Sequence, residues 1–135
     1  MERPDSEEFQ TRPERDPRFE QLDALASQLD FEEPSELRDL RLATLAAIAG
    51  GDATRGIEAM TAYQIAAAAW VESRPPRSDA PIGYRVVVAT IWLEAGETDK
   101  GLDELWETAY QAGQIPGIES LRETLEDFVA TYDAT

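Results

Sequence analysis

The chain is 135 residues long and carries 28 acidic against 12 basic side chains, a formal net charge of −16, with no cysteine and no histidine. Without cysteine there are no disulfides, thiolate nucleophiles or zinc–cysteine sites, and without histidine the commonest general base and metal ligand is missing. Dense negative charge repels nucleic-acid phosphates and anionic membranes, so neither is an expected direct partner.

Residues 1–15 mix Pro4, Pro13 and charged side chains with little apolar beyond Phe9, too little to offset the entropy of ordering. A disordered tail is expected there, ahead of a single helical domain over residues 16–135. The opening MERPDSEEFQ is the opposite of a signal peptide, and no apolar stretch is long enough to span a bilayer. The expected location is cytoplasmic.

Asp16–Pro17 reads as a helix start, a side-chain cap followed by proline at the first helical position. Phe19, Leu22, Leu25, Ala26 and Leu29 then form one apolar stripe. A second start lies at Glu33-Pro34-Ser35, and its helix runs to the pair Gly50–Gly51. Residues 54–73, entered through Asp52 or Thr54, are apolar on more than one face and are expected to form the central, most covered helix. Arg74-Pro-Pro-Arg-Ser-Asp-Ala-Pro81 breaks it and is the one place where arginines cluster without acids between them.

Residues 82–95, with Val86–Val88, Ile91 and Trp92, suit a buried strand as well as a buried helix. No other segment reads as a strand, and a lone strand leaves its backbone unpaired, so helix is the reading adopted. Gly96–Asp99 turns the chain into a helix over 99–112 with Leu102, Leu105, Trp106 and Ala109 on one face, ended by Gly113 and Pro116. A last helix over about 116–132 carries Ile118, Leu121, Leu125, Phe128 and Tyr132 at spacings of three and four, with acids on its other face. The predicted fold is all-α: about six helices, two antiparallel hairpins over 34–73 and 81–113, and a flanking helix at each end.

Gly51-Asp-Ala-Thr-Arg-Gly56-Ile-Glu aligns with Gly96-Glu-Thr-Asp-Lys-Gly101-Leu-Asp at an offset of 45 residues. A glycine in a first helical turn costs about 1 kcal/mol against alanine, so finding one twice points to close approach between the helices of each hairpin. Together with Met60, Leu105, Ala89 and Trp92, these positions resemble tetratricopeptide-type helical-hairpin proteins over roughly residues 37–68 and 82–113. Arg85 stands where that family prefers an aromatic and Tyr63 and Thr108 where it prefers alanine, and the spacing exceeds the family's repeat of about 34 residues. The resemblance implies a groove lined by the first helix of each hairpin, which places Arg38, Arg41, Val86, Thr90 and Glu94 there.

Arg38, Arg41 and Arg85 would then form a positive strip suited to an acidic peptide or a C-terminal carboxylate, or would merely balance nearby acids. A buried Arg85 would need a partner such as Glu58 or Glu72. Trp70, Trp92 and Trp106 read as core aromatics. Asp103, Glu104 and Glu107, like Glu123, Glu126 and Asp127, read as solvated acidic faces; no metal site and no cofactor is expected. Of the basic residues only Lys100 is lysine, and this acidic, lysine-poor composition resembles that of haloarchaeal proteins.

The expected function is therefore a non-catalytic adaptor that binds another protein through the groove or the last helix, with self-association open. The alternatives are an acidic mimic of nucleic acid that occupies a basic partner and, last, an enzyme using carboxylates with Tyr63 or Lys100.

Overall fold

The computed structural model describes residues 15–75 and 78–134. The expected tail lies outside the described residues apart from Arg15, as do Pro76 and Arg77 of the arginine-bearing loop. Six α-helices are described, α1 Pro17–Gln28, α2 Ser35–Ala49, α3 Ala53–Glu72, α4 Ala80–Glu94, α5 Thr98–Ala112 and α6 Ser120–Ala134, and no strand is described. None is long and apolar enough to cross a membrane.

Local chemistry sets the ends. The Asp16 carboxylate accepts from the Arg18 amide at 2.9 Å with Pro17 in the first turn, and Asp52 accepts from the Arg55 amide at 3.0 Å. The helices α2 and α4 each end two residues before a glycine, Gly51 and Gly96, whose φ angles of 86° and 92° lie where a side chain is strained. The last helix begins at Ser120, later than expected, because the chain turns through Gly117 (φ 100°) after Pro116.

The stretch 82–95 is helical and is the true centre of the fold. Ten of the 15 residues of α4 are buried, and it packs on α1, α2, α3 and α5. Its β-branched side chains, unfavourable in an isolated helix, are buried among these neighbours, and tertiary packing overrides propensity. By contrast, α3 buries only Gly56, Met60, Tyr63 and Ala67 of its 20 residues. The expectation that it is the central, most covered helix is overturned. Its apolar count comes largely from alanines, which are small enough to face water at little cost, whereas that of α4 comes from Val, Ile and Leu.

The two hairpins correspond in where their helices start and in which of their positions are buried. The helices α4 and α5 start 45 residues after α2 and α3. Leu37, Arg41 and Thr44 of α2 are buried, and so are Ile82, Val86 and Ala89 at the matching places in α4. Gly56, Met60, Tyr63 and Ala67 of α3 are matched by buried Gly101, Leu105, Thr108 and Ala112 of α5. The helix α6 lies on α5, with Leu121, Leu125 and Phe128 inward, while α1 packs on α4 rather than on its chain neighbour α2.

Phe31, in the connector between α1 and α2, is a core residue that periodicity alone does not reveal. It is wedged edge-on against Trp70 at 5.1 Å between ring centroids and lies 6.2 Å from Tyr84. Trp70 and Trp92 are half-buried, but Trp106 is 55% exposed. The buried face of α5 runs through Leu105 and Ala109, and the next residue is turned about 100° away.

Candidate functional site

Because α1 crosses α4 and not α2, the first two helices stand apart and leave a cleft of about 1240 Å³ between them. Val87 and Glu94 of α4 form its floor, Phe19 and Asp23 belong to the α1 wall, and Arg38, Arg41, Leu42 and Leu45 to the α2 wall. Leu42 is 60% exposed, an apolar side chain left open at a concave surface.

An ionic network crosses the cleft. The Arg15 guanidinium grips Glu94 with two bonds of 3.0 and 2.9 Å and reaches Asp23 at 2.7 Å. Arg41, only 8% exposed, donates to Asp23 at 2.8 Å and to Glu33 at 3.3 Å, with Glu94 at 3.9 Å. The second oxygen of Glu33 accepts from the hydroxyl of fully buried Tyr63 at 2.7 Å. Burial opposes the charge on both guanidiniums, but the carboxylate bonds outweigh it and hold Arg15 and Arg41 more firmly protonated than free arginine. Burial, reinforced by the Glu33 charge, pushes the Tyr63 hydroxyl well above its ordinary pKa.

These partners consume the cations. Within the network two arginines face three carboxylates, and Glu32 also lines the cleft, as does Asp16, which is paired with Arg18 at 2.6 Å. Arg38 is exposed at the rim and makes no ion pair among the described residues. The cleft therefore presents an excess of negative charge beside an apolar wall.

Of the residues expected in a groove, Arg38, Arg41 and Glu94 do line this cleft. Val86 and Thr90 do not, since both are fully buried, the Thr90 hydroxyl donating to the Val86 carbonyl at 2.7 Å. Arg85 lies nine residues before Glu94, half a turn round α4, and points to α5. There it donates to Glu104 at 2.9 and 3.2 Å and to Gln111 at 2.7 Å, in place of the anticipated Glu58 or Glu72. No positive strip forms from Arg38, Arg41 and Arg85.

Asp23, Glu33 and Arg15 were not singled out by the sequence. The available signal was Tyr63, a phenol inside an apolar helix that demands a polar partner. Of the residues offered for an enzyme, Tyr63 is sealed in this network, and Lys100 pairs with Glu97 at 3.3 Å while lying over the Trp92 ring at 4.7 Å. Among the described residues no cluster of acids has the geometry to hold a metal ion.

Comparison with protein-family models, with curated proteins and with solved structures finds no match for this chain.

Proposed function

We propose that the protein is a non-catalytic binding module whose α1–α2 cleft takes an amphipathic segment of a basic partner protein. The reading is supported by one observation above the others: a wide cleft whose inner arginines, Arg15 and Arg41, are already paired, and whose lining carries five acids against three arginines beside the open apolar side chain of Leu42. An acidic peptide would find, among the described residues, only Arg38 at the rim unpaired and would otherwise have to displace Glu33 or Glu94 from their arginines, whereas a segment bearing arginine or lysine beside leucine meets complementary charge and apolar surface together. The duplicated hairpin pattern fits an adaptor scaffold of the tetratricopeptide-like kind. The lysine-poor acidity fits the cytoplasm of a salt-accumulating cell, in which screening leaves apolar contact to supply more of the affinity.

The acidic-mimic reading keeps one specific support, the outward row Glu119, Glu123 and Asp127 flanking α6. The two readings separate in a titration with a cationic amphipathic helical peptide followed by two-dimensional NMR. Shifts at Phe19, Leu42 and Leu45, lost in Leu42→Arg, are the expected result. Shifts confined to Glu119–Asp127 and untouched by Leu42→Arg favour the mimic, and no shift at any salt concentration overturns both.

A further inference from the structure

The outer face of α3 is uncovered and free of charge over its middle, with Glu58 at its edge and Glu72 at its C-terminal end. Ile57 and Ile65 are 56% and 67% exposed, and Thr54, Thr61 and Ala68 lie exposed along the same side. The only charged residues of the helix are Arg55, Glu58 and Glu72, on a chain of net charge −16. A basic partner is drawn to the acidic surfaces elsewhere on the molecule. So sparsely charged a face is the place where two copies of so acidic a chain meet with the fewest carboxylates opposed.

We propose that α3 is a homodimer interface, packed antiparallel on α3 of a second copy about a twofold axis at Thr61. The spacing is self-complementary, as a twofold contact requires. Ile57 and Ile65 lie four residues either side of Thr61, so each Ile57 meets Ile65 of the partner subunit. Thr54 and Ala68 lie seven either side, and these small side chains let the helices approach closely. Glu58 then falls opposite Gln64 of the partner subunit, an amide that can donate to it, and Glu72 falls past the N-terminal end of the partner subunit's α3, away from the other Glu72. The rival apolar pair, Trp106 and Tyr110 on α5, is flanked by exposed Asp99, Asp103 and Glu107, which a twofold contact would crowd together. This interface is on a different helix from the cleft and does not depend on how the cleft is used.

Sedimentation equilibrium of the full chain across a potassium chloride series tests the proposal. Twice the chain mass is expected, falling to the chain mass in Ile65→Lys with the helical circular dichroism unchanged, while Trp106→Lys stays dimeric. Because the chain has no cysteine, Thr61→Cys is expected to form a symmetric disulfide between copies on mild oxidation. The chain mass at every concentration and salt level overturns the proposal and leaves the face to another protein or to water. A dimer indifferent to Ile65→Lys, or one dissociated by Trp106→Lys, overturns it as well, and a dimer that Thr61→Cys cannot cross-link overturns the twofold register.

Discussion

The Tyr63 hydroxyl on α3 donates to one oxygen of Glu33 at 2.7 Å, and Arg41 on α2 donates to the other oxygen at 3.3 Å. One carboxylate in the α1–α2 connector thus ties the first hairpin together from above, and through Arg41 and Asp23 it is coupled to α1. Removing a single member leaves the others buried with unmet bonds. Arg41→Ala is expected to destabilise the fold by about 3 kcal/mol and Tyr63→Phe by about 1–2 kcal/mol. In a double-mutant cycle by urea unfolding the two losses should fail to add, since both variants act on Glu33. Additive losses would mean that the shared carboxylate does not couple them.

The same hydroxyl sets an alkaline limit. The Tyr63 pKa is raised in the folded state by burial and then by the charge of Glu33, while in the unfolded chain it returns to about 10. Below that pH the phenol is neutral in both states and its contribution is constant. Above it the unfolded chain binds fewer protons than the folded one, so stability falls as pH rises, by about 1.4 kcal/mol per pH unit for one group. Tyr84, which burial also raises, adds a second share. Unfolding free energies measured at pH 8 and pH 11 should show a smaller alkaline loss for Tyr63→Phe than for the parent chain. Equal losses would place the titration elsewhere.

Helix positions and turns were legible in the sequence because they depend on local chemistry: Asp16–Pro17, Asp52, and the glycines that end α2 and α4. The 45-residue match between Gly51–Gly56 and Gly96–Gly101 likewise foreshadowed helices that start at equivalent places. What periodicity did not rank was burial. A run such as Ala66–Ala69 counts as apolar yet tolerates water, whereas Val86–Val88 must be covered on all sides. The cleft was hidden for a related reason, since it exists only because α1 skips α2 to pack on α4. Arg41 belonged to the predicted groove and lines the α1–α2 cleft, but its neutralisation by Asp23, on another helix, left no mark in the spacing.

Close approach at three glycines gives a graded prediction. A Cβ on Gly83 would sit 2.7 Å from the Phe31 Cβ and 2.9 Å from the Ala26 carbonyl oxygen, where α1 and its connector cross α4. On Gly101 it would meet Leu93 at 2.5 Å and the Ala89 carbonyl at 3.0 Å, and on Gly56 the nearest atom is Ile48 Cγ1 at 3.2 Å. Alanine in a helix interior returns about 1 kcal/mol of propensity, and overpacking costs about 1–3 kcal/mol. Gly56→Ala should therefore be near neutral because Ile48 can yield. Gly101→Ala should lose about 1 kcal/mol, and Gly83→Ala about 2 kcal/mol because backbone cannot move aside. Thermal melts that reverse this order would show that the α1–α4 crossing is looser than the α4–α5 one.

Salt should act on the surface and spare the cleft network. Repulsion among exposed acids is screened over about 8–10 Å at moderate ionic strength, whereas bonds to Arg41, nine-tenths out of solvent, are screened far less. Raising potassium chloride should therefore raise the melting temperature of the parent chain. On α6, Glu123 and Asp127 are exposed and make no ion pair among the described residues, while Arg122 is held by Glu126 at 3.0 Å. Glu123→Gln with Asp127→Asn should stabilise the fold at low salt, flatten the salt dependence and leave the high-salt melting temperature almost unchanged. An unchanged salt slope in the double variant, or a parent chain that melts lower as salt rises, would remove surface repulsion as the limit on stability.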